Sequence, residues 1–197
     1  MEKHVLGLEL PTDPRWVNIA EKNIQEILID HAYCEQKAAS SGISLIVQFP
    51  DKEKLVEMLT ALVAEEWSHF ERVMLELKKR GWSLGHKRKD EYVEQLQKML
   101  IRGGSRDHYL VENLLMHALI EARSCERFRL LWKEISDPDL SQFYYELMVS
   151  EAGHYKSFLA MAKEYMYEDK VMARWYQMLE AEAEIVKNLE VRGDRMH

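Results

Sequence analysis

From Trp16 onward the apolar positions Ile19, Ile24, Ile27 and Leu28, joined by His31, recur at the three-and-four spacing of one helix face. The pattern predicts a long helix that starts at Thr12-Asp13-Pro14, where a capping side chain precedes Pro in the first turn. It continues past Gly42, with a bend there, to the break at Phe49-Pro50-Asp51. Leu55, Leu59, Leu62, Val63, Phe70, Val73 and Leu77 predict a second helix over 52–80. Gly81 and Gly85 open a long connection, 82–106, in which Asp90 caps a short helix ending at Gly103-Gly104. A third long helix begins at Asp107 or His108, carries Leu110, Leu114, Leu119 and Phe128, and stops near Ser136-Asp137-Pro138. A fourth reaches Tyr167 and a fifth spans 170–189, where Glu180, Glu182, Glu184 and Glu190 predict a solvated face. Only residues 44–49 are strand-compatible, so the fold class is all-α.

Hairpin, long crossover, hairpin is the connectivity of a ferritin-like four-helix bundle, here with an extra C-terminal helix. No shift of composition marks a second domain, so residues 1–197 are expected to form one ferritin-like di-iron domain. A chain with 8 Gly and 4 Pro that is 47% hydrophobic and 31% charged suits a helical core and excludes disorder. No apolar run approaches the ~20 residues of a membrane span. Met1 to Leu10 carries no basic-then-apolar leader, and the expected location is cytoplasmic. Cys34 and Cys125 form no CxxC pair and are expected to be buried free thiols.

Glu-x-x-His places a carboxylate and an imidazole one turn apart on one helix face, within reach of one ion. The sequence has two such pairs, Glu66/His69 and Glu151/His154, each on the second helix of a hairpin. In an antiparallel hairpin, residues equidistant from the turn share a height. Glu35 and the Glu66/His69 pair are centred near residue 51, at the Phe49-Pro50-Asp51 turn. Glu121 and the Glu151/His154 pair are centred near 137, at Ser136-Asp137-Pro138. The helices bearing the lone glutamates also align, Ala32 to Ala39 on Ala118 to Cys125, which selects Glu121 over Glu126.

Four carboxylates and two imidazoles on core-facing stripes form the ligand set of carboxylate-bridged dimetal bundles, suited to two iron ions or to manganese. Without cations their burial would be prohibitive. The formal charge of -7 includes those four glutamates; neutralised by metal, they would leave about −3. Glu65, Asp30, His31, His117 and Arg123 are candidates to orient the ligands, and Cys125 to line a cavity beside the metals.

The segment from Lys78 to Lys89 gathers Lys78, Lys79, Arg80, Lys87, Arg88 and Lys89 around Trp82, and Arg102 and Arg106 follow at the far end of the crossover. Basic groups beside aromatics are what a single-stranded RNA loop requires. Residues Pro11 to Trp16, Asp30 to Ala39, Arg80-Gly-Trp82, Gly103 to Arg106, Ile120 to Phe128 and Ser150 to Tyr155 carry a resemblance over nearly the whole chain. The chain resembles the bacterial tRNA hydroxylases that act on 2-methylthio-N6-isopentenyladenosine beside the anticodon.

The resemblance implies a non-haem di-iron monooxygenase that hydroxylates the isopentenyl side chain with O2. Its ligand pattern falls on the same six residues, and its partner is the tRNA anticodon arm. Two electrons are needed per turnover, and the chain has no flavin or iron–sulfur motif; a ferredoxin or reductase is implied as donor. The competing readings are an iron-oxidising or peroxide-scavenging protein of the ferritin and rubrerythrin type, and an inactive RNA-binding bundle with structural metals.

Overall fold

The computed structural model describes residues 5–196. Met1–His4, on which part of the leader-free reading falls, and His197 lie outside the described residues. Among the described residues there are seven α-helices and no strand: α1 Arg15–Lys22, α2 Ile24–Gln48, α3 Glu53–Lys79, α4 Glu91–Met99, α5 Arg106–Glu134, α6 Pro138–Tyr165 and α7 Glu168–Asn188. The strand-compatible stretch is helical to Gln48, and Leu45 continues the buried stripe of α2 while Val47 faces outward.

The chain divides into two compact units. One consists of Ile19–Lys89 with the tail Arg192–Met196, and its body is the α2–α3 hairpin. Leu55, Leu59, Leu62, Val73 and Leu77 form the buried stripe of α3, and Glu66 and His69 fall on that same stripe. The single predicted helix from Trp16 is in fact two. Asn23 leaves helical geometry, with φ −126° and ψ 33°, while its side-chain amide donates to the Ile19 carbonyl at 2.8 Å. A short polar side chain that caps its own helix competes with continuation, and here the competition ends α1.

Hairpin packing is closest at Gly42, where a Cβ would meet Val63 Cγ2 at 2.6 Å. Valine on a helix has one favoured rotamer and yields poorly. Gly42→Ala is expected to destabilise the protein by about 1–3 kcal/mol. A denaturant midpoint unchanged from wild type would show that the helices part without cost.

The other unit comprises Asp90–Val191 with the chain up to Asn18, and α5 is its centre. Helix α5 packs against α6, α7, α4 and the N-terminal 3-10 turn Val5–Gly7. Covered by four elements, it is buried on nearly every face between Leu110 and Phe128. Its start is capped by Ser105, whose hydroxyl accepts from His108 N at 3.1 Å, and α6 is capped by Asp137 just ahead of Pro138. Helix α4 is capped by Asp90 as predicted, but it stops at Met99, before Gly103-Gly104. The buried Glu112 accepts from Ile101 N at 2.9 Å, and Arg174 donates to the Met99 carbonyl at 3.0 Å. This carboxylate and its guanidinium partner thus take the backbone groups that another helical turn would use.

Glu182 does not lie on a solvated face. It follows Val171, Trp175, Met178 and Leu179 on the buried stripe of α7 and is wholly inaccessible.

Candidate metal centre

Each hairpin assembles a triad of two glutamates and one histidine. In the α2–α3 hairpin, His69 Nδ1 lies 3.6 Å from Glu35 Oε2 and 3.6 Å from Glu66 Oε2. In the α5–α6 hairpin, His154 Nδ1 lies 3.6 Å from Glu151 Oε2, and Glu121 brings a carboxylate oxygen within 4.8 Å of both. The equal counts about the two turns produce this register. None of the six side chains belongs to a residue more than 5% exposed. Oxygen atoms so placed repel one another in a medium that hydrates neither, and a cation is the partner that relieves both costs. Carboxylate-rich donors with one imidazole per triad fit a divalent transition ion of the iron or manganese kind.

The Glu35 carboxylate is held from behind by a neighbour on its own helix. His31 Nε2–H donates to Glu35 Oε1 at 2.6 Å, which leaves Oε2 turned toward His69. Glu65 Oε1 lies 3.9 Å from His69 Nε2. Asp30 accepts from Met196 N at 2.8 Å, and the His117 ring stacks on Phe158 with 5.2 Å between centroids. Cys125 is buried and donates to the Met148 carbonyl at 3.4 Å, whereas Cys34 is only half-buried, not buried as expected. Burial, with the charge of Glu151 second, pushes the Cys125 thiol up to about 12, so it stays protonated.

With that geometry, the comparisons with known proteins are specific. The family model for tRNA-(MS[2]IO[6]A)-hydroxylase (MiaE) matches residues 1–197. The chain belongs to this tRNA hydroxylase family. Among its relatives, the tRNA 2-(methylsulfanyl)-N(6)-isopentenyladenosine(37) hydroxylase of Pseudomonas putida is 36% identical over 92% of this chain and 87% of its own length. The enzyme of the same title from Salmonella typhimurium is 27% identical over 91% of this chain and 83% of its own. A solved structure, protein 43 with aldehyde deformylating oxygenase activity from Synechococcus, superposes with a TM-score of 0.91 at 32% identity, covering 96% of this chain and 94% of that one. The fold is therefore all-α and ferritin-like.

In this family member Arg123 and Glu126, both close to Glu121 in sequence, belong to a different assembly. Arg123 donates to Glu182 from Nε and from Nη2, each at 2.9 Å, and to the Leu10 carbonyl at 3.0 Å, and it also pairs with Glu126. Glu126 accepts from the Thr12 backbone N–H at 2.8 Å and from its hydroxyl at 2.6 Å. Tyr92 donates to Glu182 at 3.1 Å. Burial opposes the charged Arg123, but Glu182 foremost and then Tyr92 and Glu126 outweigh it and hold its pKa above the ordinary value. Next to it Arg127 is buried with its guanidinium 4.2 Å from the Trp16 ring, and burial followed by repulsion from Arg123 lowers it to about 9. Sequence reading missed this assembly. The signal was present in the position of Glu182 on an apolar stripe.

The basic residues of the crossover divide by exposure. Lys78, Lys79, Lys87, Lys89, Arg102 and Arg106 are exposed, whereas Arg80 and Arg88 are partly covered. Glu76 pairs with Lys79 at 2.5 Å and with Arg80 at 2.6 Å. Arg88 pairs with Glu26 and sits 3.8 Å from Asp194. No helix among the described residues is long and apolar enough to cross a membrane.

Proposed function

We propose that the two triads together hold two iron ions within one domain spanning 1–197, with Glu35, Glu66, His69, Glu121, Glu151 and His154 as ligands. The chain then hydroxylates the isopentenyl side chain of 2-methylthio-N6-isopentenyladenosine next to the anticodon of tRNA. The observation that carries this reading is membership of the tRNA hydroxylase family over all 197 residues, in a chain whose hairpins each present a buried Glu/Glu/His triad.

Such a dimetal centre supplies O2 activation. In the overall reaction one oxygen atom enters the C–H bond of the side chain and the other leaves as water, with two electrons and two protons taken up. A separate ferredoxin or reductase delivers those electrons. His31 fixes the orientation of the Glu35 carboxylate, and the apolar residues around the triads exclude water that would divert the chemistry. The modified base turns out of its stack so that its side chain enters the bundle. Lys78, Lys79, Arg80, Lys87, Arg88, Lys89, Arg102 and Arg106 face the phosphates of the anticodon arm. Such a substrate places the enzyme in the cytoplasm.

The test is single-turnover chemistry. Iron-loaded protein is reduced without air, mixed with prenylated, methylthiolated tRNA and exposed to O2, and the nucleosides are analysed by mass. The expected product is heavier by one oxygen atom, taken from 18O2. Absence of that product, with iron oxidation or peroxide consumption proceeding, would overturn the assignment in favour of a ferritin-type activity.

A further inference from the structure

The join between α6 and α7 borders a cavity of about 790 Å³. Helix α6 ends at Tyr165 and α7 begins at Glu168, so only Met166 and Tyr167 connect them. The Tyr167 carbonyl accepts from Lys170 N and Val171 N, each at 3.0 Å, which fixes its backbone at the start of α7 while its side chain stays exposed. Lys163 Nζ bridges the same join to Glu168 at 2.6 Å. The remaining wall comes from the first turns of α5, within the same compact unit. There Gly104, at φ +108°, runs so close to the His108 ring that a Cβ would lie 3.2 Å from its Cγ. Glycine takes that φ without strain and leaves room for the imidazole. The ring is seated by this contact, and its Nδ1 has no hydrogen-bond partner among the described residues.

Charge does not select what the cavity holds. Lys163, Lys170 and Arg174 in its walls are matched by Glu112, Glu164 and Glu168. Arg174 is taken up by Glu112 at 2.7 Å and by the Met99 carbonyl at 3.0 Å, and Lys163 by Glu168. Lys170 Nζ sits 5.8 Å from the centre of the Tyr167 ring. A bare phosphate would meet as many carboxylates as cations. What the walls offer beyond these pairs is ring surface from His108, Tyr165 and Tyr167, beside the apolar Val111 and Met166. Aromatic faces among balanced polar groups match a flat, uncharged heteroaromatic ligand. A nucleobase is such a ligand, and unstacked RNA bases are held by stacking on aromatic side chains.

We propose that this cavity takes an unstacked nucleobase of the anticodon loop, with Tyr167 as its stacking platform. The proposal rests on the tRNA reading above. Arg106, which that reading turns toward the phosphates, stands two residues before His108 on α5, so backbone and nucleobase contacts adjoin. The nucleobase held here is not the one that is oxidised. Val111 precedes Glu121 by ten residues on α5, and Tyr165 follows His154 by eleven on α6. At 1.5 Å per residue the cavity lies about 15 Å along the hairpin from the α5–α6 triad. A second loop nucleotide gripped there positions the modified one and makes the enzyme selective for a tRNA loop over a free nucleoside.

The test measures binding of a prenylated, methylthiolated anticodon stem-loop to iron-loaded wild-type, Tyr167→Ala and Tyr167→Phe proteins over a range of salt. It is repeated with stem-loops in which each loop nucleotide except the modified one is made abasic in turn. Tyr167→Ala is expected to bind about tenfold more weakly, the size of one lost stacking contact. Its salt slope stays that of wild type, because no phosphate contact is lost. Tyr167→Phe keeps the ring and binds as wild type does. One abasic position should erase the difference between wild type and Tyr167→Ala, and so identify the nucleotide. An alanine variant of wild-type affinity would overturn the proposal. So would a loss that persists on every abasic stem-loop, the mark of a structural effect, or a salt slope lowered by about 1, the mark of a phosphate contact. The Tyr167 side chain is 78% exposed, so its removal leaves the fold intact, as equal melting temperatures would confirm. Failure of the broader reading is distinct: the wild-type protein itself would then bind no stem-loop and yield no hydroxylated nucleoside.

Discussion

Glu121→Ala is expected to bind one metal ion fewer than wild type and to lose hydroxylation altogether, while Glu126→Ala keeps both ions. The two glutamates sit five residues apart on α5, both buried, yet they face different chemistry. Glu121 shares its surroundings with Glu151 and His154. Glu126 is occupied by Thr12 and Arg123. Removing Glu121 takes away the only carboxylate that α5 gives to its triad, and the remaining pair cannot complete the coordination of that ion. Removing Glu126 orphans the Thr12 backbone N–H and takes one counter-charge from Arg123, a loss of roughly 2–4 kcal/mol. Metal analysis and thermal melting separate the two effects. Loss of an ion from Glu126→Ala, with Glu121→Ala retaining both, would show that the alignment of the two hairpins selects the wrong glutamate.

That alignment was legible because hairpin geometry depends on counting. Glu35 and Glu66 are equidistant from a Pro-containing turn, and His69 Nδ1 stands 3.6 Å from each. Glu66, His69, Glu151 and His154 also continue the heptad-like stripes of α3 and α6, so their burial follows from the same periodicity that predicts the helices. The family resemblance then directed the chemistry toward tRNA, which the ligand residues alone do not do.

Features that depend on contacts distant in sequence were not legible. The end of α4 is set by Glu112, eleven residues beyond Ile101, and by Arg174 from another helix. Arg195 meets Lys89 across 106 residues, so no local spacing links the tail to the crossover. The break at Asn23 turns on one side-chain hydrogen bond inside an otherwise continuous apolar pattern. Glu182 is the instructive error. Its neighbours Glu180 and Glu184 suggest a solvated face, and only the stripe of Val171, Trp175, Met178 and Leu179 places it inside.

Arg123→Ala should be the most destabilising substitution outside the metal ligands, because Arg123 neutralises two buried carboxylates at once. Its guanidinium serves Glu182, Glu126, Thr12 and the Leu10 carbonyl, and so ties α7 and the N-terminal segment to α5. Truncation leaves Glu182 inaccessible to water with Tyr92 as its remaining donor. Breaking one side of a buried ion pair costs about 3–5 kcal/mol, which lowers the Tm of a chain this long by roughly 10 °C. The loss is a penalty for stranded charge and does not measure the worth of the network. Replacing Arg123, Glu126 and Glu182 together by apolar residues of similar volume should therefore restore most of the stability, because no charge is then left unpaired. Thermal and denaturant unfolding of the single and triple variants decide between these accounts. A triple variant no more stable than Arg123→Ala would mean that the hydrogen bonds to Thr12 and Leu10, and not the charges, hold the N-terminal segment on α5.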